Sequence, residues 1–203
     1  MQAVGFKRMT IQVLGGTKEK IVIEGAAGKG ATKTAKISGL SAAPVKTYGS
    51  DIAYYTSRRG VGDVKMETEA IDIPFEHLQT ILGYKKGEKT EGVTFIGEDT
   101  EAPEVSVLLE APGTEGNVYL GFFKGTFSME DFELKTKEEE QDGLDSQKLV
   151  FTAQPGDAGE AKGQYVGWAM DKEAEAKGKN AMALVKLLSS GNSESSVSPK
   201  GHV

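Results

Sequence analysis

Residues 61–82 read VGDVKMETEAIDIPFEHLQTIL, and within this stretch the hydrophobic period changes from two to nearly four. Val64, Met66 and Ala70 fall on one face of an extended chain, while Asp63, Lys65, Glu67 and Glu69 fall on the other. Such alternation builds a half-buried strand, because successive side chains point to opposite sides of the pleat. From Phe75 onward the apolar residues recur as Phe75, Leu78, Ile81 and Leu82, the spacing of one helix face. Asp72 and Pro74 suit a helix start and Gly83 suits its end. A strand followed by one short helix, 74–82, is therefore expected.

Outward from this stretch the signals are those of short strands. Ser50 to Ser57 (SDIAYYTS) reads as a strand, and Arg58-Arg59-Gly60 supplies a turn into residues 61–70, which predicts a long hairpin over 48–69. Further upstream, Met9 to Leu14 and Lys20 to Glu24 form a hairpin-like pair around Gly15-Gly16. Gly25 to Gly30 is a loop, and Ala31 to Ile37 a half-exposed strand that Ala42-Ala43-Pro44 interrupts. Downstream, strands are expected at Glu104 to Glu110, Val118 to Lys124, Phe127 to Lys135 and Lys148 to Ala153. This spacing belongs to a sandwich or barrel and not to alternating α and β units. The fold class is mainly β, a β-sandwich or barrel with one short flanking α-helix and extended loops or arms.

After Gln154-Pro155-Gly156 the composition shifts to Ala, Gly, Lys and Glu. One more strand, Gln164 to Met170, carries the single Trp. Asp171 to Leu188 stays open between helix and loop, since its Ala, Lys and Glu favour helix while Gly178 and Asn180 interrupt it. Ser189 to Val203 is rich in Ser, Gly and Asn without apolar anchors, which predicts a disordered tail. The expected division is a sandwich domain over 1–155, a C-terminal strand and arm or extension over 156–188, and the tail over 189–203.

Composition removes several chemistries. The 203 residues contain no cysteine, which excludes disulfide scaffolds, thiol nucleophiles and zinc ribbons. Only His77 and His202 are histidines, too few for a triad or a His-based metal site. His77 lies off the Phe75/Leu78/Ile81 stripe, so a partly exposed structural role is expected. A net charge of -6 argues against tight nucleic-acid binding, which rests on cations neutralising phosphates. The N-terminal residues lack the apolar run of a secretion signal and no stretch reaches the length of a membrane span, so a soluble protein made inside the cell is expected.

Gly25-Ala-Ala-Gly28-Lys29-Gly30 invites comparison with a phosphate loop, but only two residues separate Gly25 from Gly28-Lys29 where that loop needs four. A flexible loop is the better reading. The acidic cluster Glu138, Glu139, Glu140, Asp142 and Asp145 reads first as a solvated loop, then as a field-shaping surface, and least as a hydrolytic acid pair. Neither it nor Gly97 to Glu101 follows the spaced pattern of a calcium loop. No cofactor and no metal are expected. Tyr54, Tyr55, Tyr119, Phe122, Phe123, Phe127, Phe132 and Phe151 lie in predicted strands, where core packing accounts for most of them.

Several stretches, taken in order, resemble the major tail tube proteins of long, non-contractile-tailed phages of Gram-positive bacteria. They are Val4 to Lys7, the hairpin around Lys46 to Ile52, the passage Gly62 to Gly83, the pair Ala102 to Glu110 and Val118 to Phe127, and Leu149 to Pro155. Their order and spacing carry the likeness. The resemblance implies a β-sandwich subunit that assembles into hexameric rings, stacked into a tube through which DNA passes without specific binding. It implies a virion tail location after assembly in the host cytoplasm, away from membranes, with tape measure, tail terminator and distal tail proteins as partners. Onto this sequence it carries an inter-subunit hairpin with Tyr48, Asp51, Tyr54, Tyr55, Arg58, Arg59, Lys65 and Glu67 as contact candidates. Glu138, Glu139, Glu140, Asp142 and Asp145 become lumen-facing candidates, since like charge keeps DNA off a wall within a screening length of about 8–10 Å. The alternative is a non-catalytic binding module, carbohydrate-binding or adhesin-like, using Tyr54, Tyr55 and Trp168.

Overall fold

A computed structural model of the chain describes residues 2–15, 19–87, 89–134, 136, 145–172 and 178–190. Strands β1 (Arg8–Val13) and β2 (Lys20–Ile23) form the first hairpin, followed by β3 (Ala31–Ser38), β4 (Val45–Gly49), β5 (Ile52–Ser57) and β6 (Lys65–Ile71). Helix α1 (Phe75–Leu82) comes next, then the short pair β7 (Lys85–Lys86) and β8 (Thr94–Phe95). The chain continues through β9 (Val105–Gly113), β10 (Gly116–Ser128), β11 (Gln147–Gln154), β12 (Val166–Lys172) and helix α2 (Lys179–Ser190). The fold is mainly β, and its pairings are antiparallel.

The main sheet runs β2-β1-β9-β10-β11-β6-β3, with β12 added beside β10. Strand β10 belongs to two wings. Its first half lies between β9 and β12, and its second half, from Lys124, pairs with β11. The change of partner falls at a register shift between Phe122 and Gly125. A side chain at Gly125 would lie 2.3 Å from the Thr152 carbonyl and 2.4 Å from the Phe151 ring, so this crossover requires glycine. The sequence expectation of separate strands at 118–124 and 127–135 is corrected here: the register shift bends one long strand and does not end it.

The two wings share a core of Met9, Ile11, Met66, Val105, Val107, Leu120, Phe122, Phe127, Leu149 and Phe151, with Leu78, Ile81 and Leu82 from α1. Phe122 and Phe127 both pack against the Phe151 ring, at centroid distances of 5.3 and 5.0 Å. The alternation read in residues 64–70 is present: Val64, Met66 and Ala70 are buried, and Thr68 joins them by donating its hydroxyl to the Thr34 carbonyl. Helix α1 buries Leu78, Ile81 and Leu82 as its period predicts, but Phe75, the first residue of that stripe, lies in the opening turn and is exposed. Gly83 caps the helix in the left-handed conformation, φ 68°.

Of the segment left open at 171–188, Asp171 and Lys172 end β12, and the residues from Lys179 on form α2. This helix lies on the outer side of the β9–β10–β12 wing, where Leu184 and Leu188 meet Phe123 and Ala161. Gly121 and Gly167 let it approach closely, since a Cβ there would stand 3.1 Å and 2.7 Å from those leucine side chains. Buried Asp171 accepts the N–H groups of Asn180 and Ala181 at 2.9 and 3.2 Å, satisfying donors that the first turn of a helix leaves open. Gly178 and Asn180 are therefore boundary residues of this helix. Of the tail expected over 189–203, Ser189 and Ser190 instead end α2, and residues 191–203 lie outside the described residues.

Candidate functional site

The hairpin is real but turns elsewhere than the sequence suggests. Ile52–Ser57 pairs with Val45–Gly49 and not with residues 61–70, which pair instead with β3 and β11. The turn is Ser50-Asp51, both at positive φ (51° and 63°), enclosed by the Gly49–Ile52 pair. Two-residue turns of this hand match the strand twist, and short polar residues tolerate the left-handed region better than bulky ones. Arg58-Arg59-Gly60 drew the expectation away because it also carries a turn signal.

Residues 39–62 prolong the β3–β6 ladder beyond the body of the protein. The Gly62 N–H donates to the Gly39 carbonyl at 2.7 Å, and the Ala42 N–H to the Gly60 carbonyl at 3.2 Å. Gly39 (φ 76°) is essential at the root, as a Cβ there would overlap the Asp63 carbonyl at 1.9 Å. At about 3.3 Å per residue, the run from Gly39 to Ser50 spans up to roughly 40 Å. We call residues 39–62 the arm.

Among the described residues, β4 and β5 find their substantial packing partners only in each other, and both faces are open to solvent. Tyr48 and Tyr55 are exposed, and Tyr54 reaches 81% exposure, so Tyr54 and Tyr55 are not the core residues that the strand pattern implied. Phe132 is exposed too, outside any strand, whereas Phe122, Phe123, Phe127 and Phe151 are buried as expected. By register Val45, Ile52 and Tyr55 share one face of the ribbon. Tyr54 sits at the register shift and lies over Gly49, where a Cβ would be 3.7 Å away, on that same face. Asp51 stands at the tip, and exposed Arg58 and Arg59 flank the root.

Lys65 and Glu67, expected in the same hairpin, instead lie on the outer face of β6. There they join a charged surface spanning β3, β6 and β11. Lys36 pairs with Glu67 and Lys33 with Glu69, both at 3.5 Å, and Lys65 pairs with Asp63 at 2.6 Å. The Ser146 hydroxyl donates to Glu69 at 3.0 Å, which with nearby Lys33 holds this carboxyl below its ordinary range. Asp63 in turn raises Lys65. Acidic Glu130, Asp131, Glu133 and Asp145 stand in the grooves beside this face. Of the acidic cluster only Asp145, exposed, can be placed; Glu138, Glu139, Glu140 and Asp142 lie outside the described residues.

His77 is partly buried on α1, consistent with a structural role. The Gly25–Gly30 loop closes on itself through the Gly25 N–H and the Gly30 carbonyl, and Lys29 pairs with Glu24. That pairing lowers the Glu24 carboxyl below its usual value. A lysine so engaged is poorly placed to greet a phosphate.

The described residues thus form a two-wing β body from which an exposed apolar ribbon projects. Residues 5–189 match the model of the family described as phage tail tube protein, and the chain belongs to that family. Membership implies a homo-oligomeric assembly in the virion tail. No curated protein matches the chain. Among the described residues no helix is long and apolar enough to cross a membrane.

Proposed function

We propose that this chain is the major tail tube subunit, that its copies close into hexameric rings, and that stacked rings form the conduit for DNA ejection. The arm carries this reading. An isolated two-stranded ribbon is marginal in water, yet this one holds Val45, Tyr48, Ile52, Tyr54 and Tyr55 in solvent with none of the described residues covering them. Such a surface fits a contact with a neighbouring copy, and repeated contacts between unlike patches close a ring when their rotation allows it.

The charged outer face of β3–β6–β11 is the proposed lumen wall. Its cations Lys33, Lys36 and Lys65 each pair with a carboxylate and Lys148 stands opposite Glu69 in the ladder, while Glu130, Asp131, Glu133 and Asp145 flank them. A polyanion then meets paired cations and net acid, and slides without being held. Glu138, Glu139, Glu140 and Asp142, in the same β10–β11 connection, would add to that field. The tape measure, terminator and distal tail proteins would meet the tube at its bore and ends, in the host cytoplasm where the tail assembles.

Negative-stain electron microscopy of the purified chain, alone and with tail partners, is the test. Rings or tubes are expected. A chain that stays monomeric under every condition sinks the proposal, and glycan binding by that monomer through exposed Tyr54, Tyr55 and Trp168 would favour the binding-module alternative.

A further inference from the structure

The two wings do not close completely. Between β3 and the β9–β10–β12 wing an apolar groove of about 240 Å³ remains open. Its walls are Phe6 and Ile37 on one side and Val118 and Leu120 on the other, with Leu40 and Trp168 at its rim. Trp168 pairs with Leu120 across the β10–β12 ladder and is therefore turned to the groove side, but it remains 59% exposed. Leu40 is exposed as well. Strands β3 and β12 each have one free edge along this seam among the described residues.

Among the described residues, this seam and the Ile52, Tyr54 and Tyr55 face of the ribbon are both apolar and uncovered. We infer that the Ile52, Tyr54 and Tyr55 face of one copy's arm seats in the groove between Ile37 and Trp168 of another copy. This rests on the tail tube reading and adds the receptor for the arm. Three features select a second copy as the occupant. The family assembles from copies of one chain. The arm spans up to roughly 40 Å when extended, enough to leave its own body. Its chemistry is also complementary: residues 45–59 carry Lys46, Arg58 and Arg59 against Asp51 alone, a basic element on a chain of net charge -6. Tyrosine suits such a seat, because its ring can be buried while its hydroxyl stays at the wet rim. The contact joins unlike patches, so it propagates around a ring or along a stack without self-saturating.

The absence of cysteine makes the test clean. One copy carries Tyr54→Cys and the other Leu40→Cys or Trp168→Cys; the two are mixed, assembled and oxidised. A disulfide-linked dimer is expected as the dominant product with either rim position. Met182→Cys, exposed on α2 outside the groove, should give little. If tubes form and Tyr54→Cys joins Met182→Cys or only another Tyr54→Cys, the inference is overturned while the tube reading survives. If the wild-type chain never assembles, both fall. Trp168 is the only tryptophan, so the unmodified protein offers a second readout. Its emission should shift to the blue on assembly, and assembly without a shift would also overturn the inference.

Discussion

The hairpin β9–β10 turns through Thr114 and Glu115 between Gly113 and Gly116, and the hairpin β4–β5 turns through Ser50 and Asp51 between Gly49 and Ile52. Both close with two-residue loops, and both carry large apolar side chains. The first is covered twice, by the core on one face and by α2 on the other, while among the described residues the second is covered on neither face. The difference teaches that apolar content in a strand does not by itself assign a side chain to the core. Phe122 contributes to folding because it leaves water within its own chain, about 1.5–3 kcal/mol for a fully buried side chain of this kind. Tyr54, which stays largely in water, gains little of that kind within the described residues.

The largest effect that can break this comparison is a matched pair of truncations. Phe151→Ala empties the meeting point of the Phe122 and Phe127 rings and is expected to destabilise the isolated chain by about 3–5 kcal/mol. Tyr54→Ala should change the same denaturation midpoint by under about 0.5 kcal/mol, as surface changes do, yet abolish or weaken tube formation. Urea titration of both monomers together with micrographs of both variants reads the two halves. A loss of monomer stability in Tyr54→Ala comparable to that of Phe151→Ala would mean that the arm packs on its own body.

Helix α2 is what distinguishes the covered hairpin on its outer face, and Asp171 fixes the helix start. Asp171→Ala leaves the Asn180 and Ala181 N–H groups without their acceptor and should cost about 1–2 kcal/mol. Hydrogen exchange should then accelerate over 179–190 while β4–β5 amides stay unchanged. Faster exchange in the arm as well would couple two regions that the structure keeps apart.

Much of the body was legible because burial there follows local period. Residues 64–70, the α1 stripe at Leu78, Ile81 and Leu82, and the alternation in β9 and β11 each announce a face, and each has that face in the core. The pairing of strands was less legible, since it depends on which turn wins. Ser50-Asp51 accepts a left-handed turn without a glycine at either position, and Arg58-Arg59-Gly60 competes with it on paper. The site was harder still. Tyr54 and Tyr55 look like core residues in a sequence because the exposed strand β5 carries the same aromatic side chains as a strand of the core. Trp168 and Ile37 lie far apart in sequence, and only the failure of β3 and β12 to meet places both on one groove. Asp171 could have been noticed as a capping residue ahead of a helix, but its helix begins only after an intervening segment.

A smaller effect probes the ladder from which the arm springs. Glu69 on β6 accepts from Ser146 and faces Lys33 on β3, and these interactions depress its carboxyl. A carboxyl whose folded value lies below its unfolded one, normally about 4.3 for glutamate, stabilises the fold fully above that unfolded value. The contribution is lost as pH falls through the lower, folded value. Ser146→Ala should therefore be slightly less stable than the wild type at neutral pH, with the gap closing as the medium is acidified. Melting series over acidic and neutral pH give the answer, and a gap that widens toward acid would refute the assignment.

The smallest expected effect on global stability is the most direct probe of the arm's independence. Ser50 and Asp51 both hold positive φ, which side chains other than glycine adopt at a cost of roughly 1–2 kcal/mol each and which Asn-Gly adopts readily. The double variant Ser50→Asn/Asp51→Gly should tighten the ribbon and slow amide exchange in Val45–Gly49 and Ile52–Ser57. Its global melting temperature should nonetheless stay where it was, because a ribbon that packs on none of the other described strands opens before the body does and its gain is not felt by the cooperative unit. A rise in global melting temperature alongside the slower exchange would show that the arm and the core unfold together. In that event Tyr54 and Tyr55 would owe their exposure to something other than the wait for a neighbour.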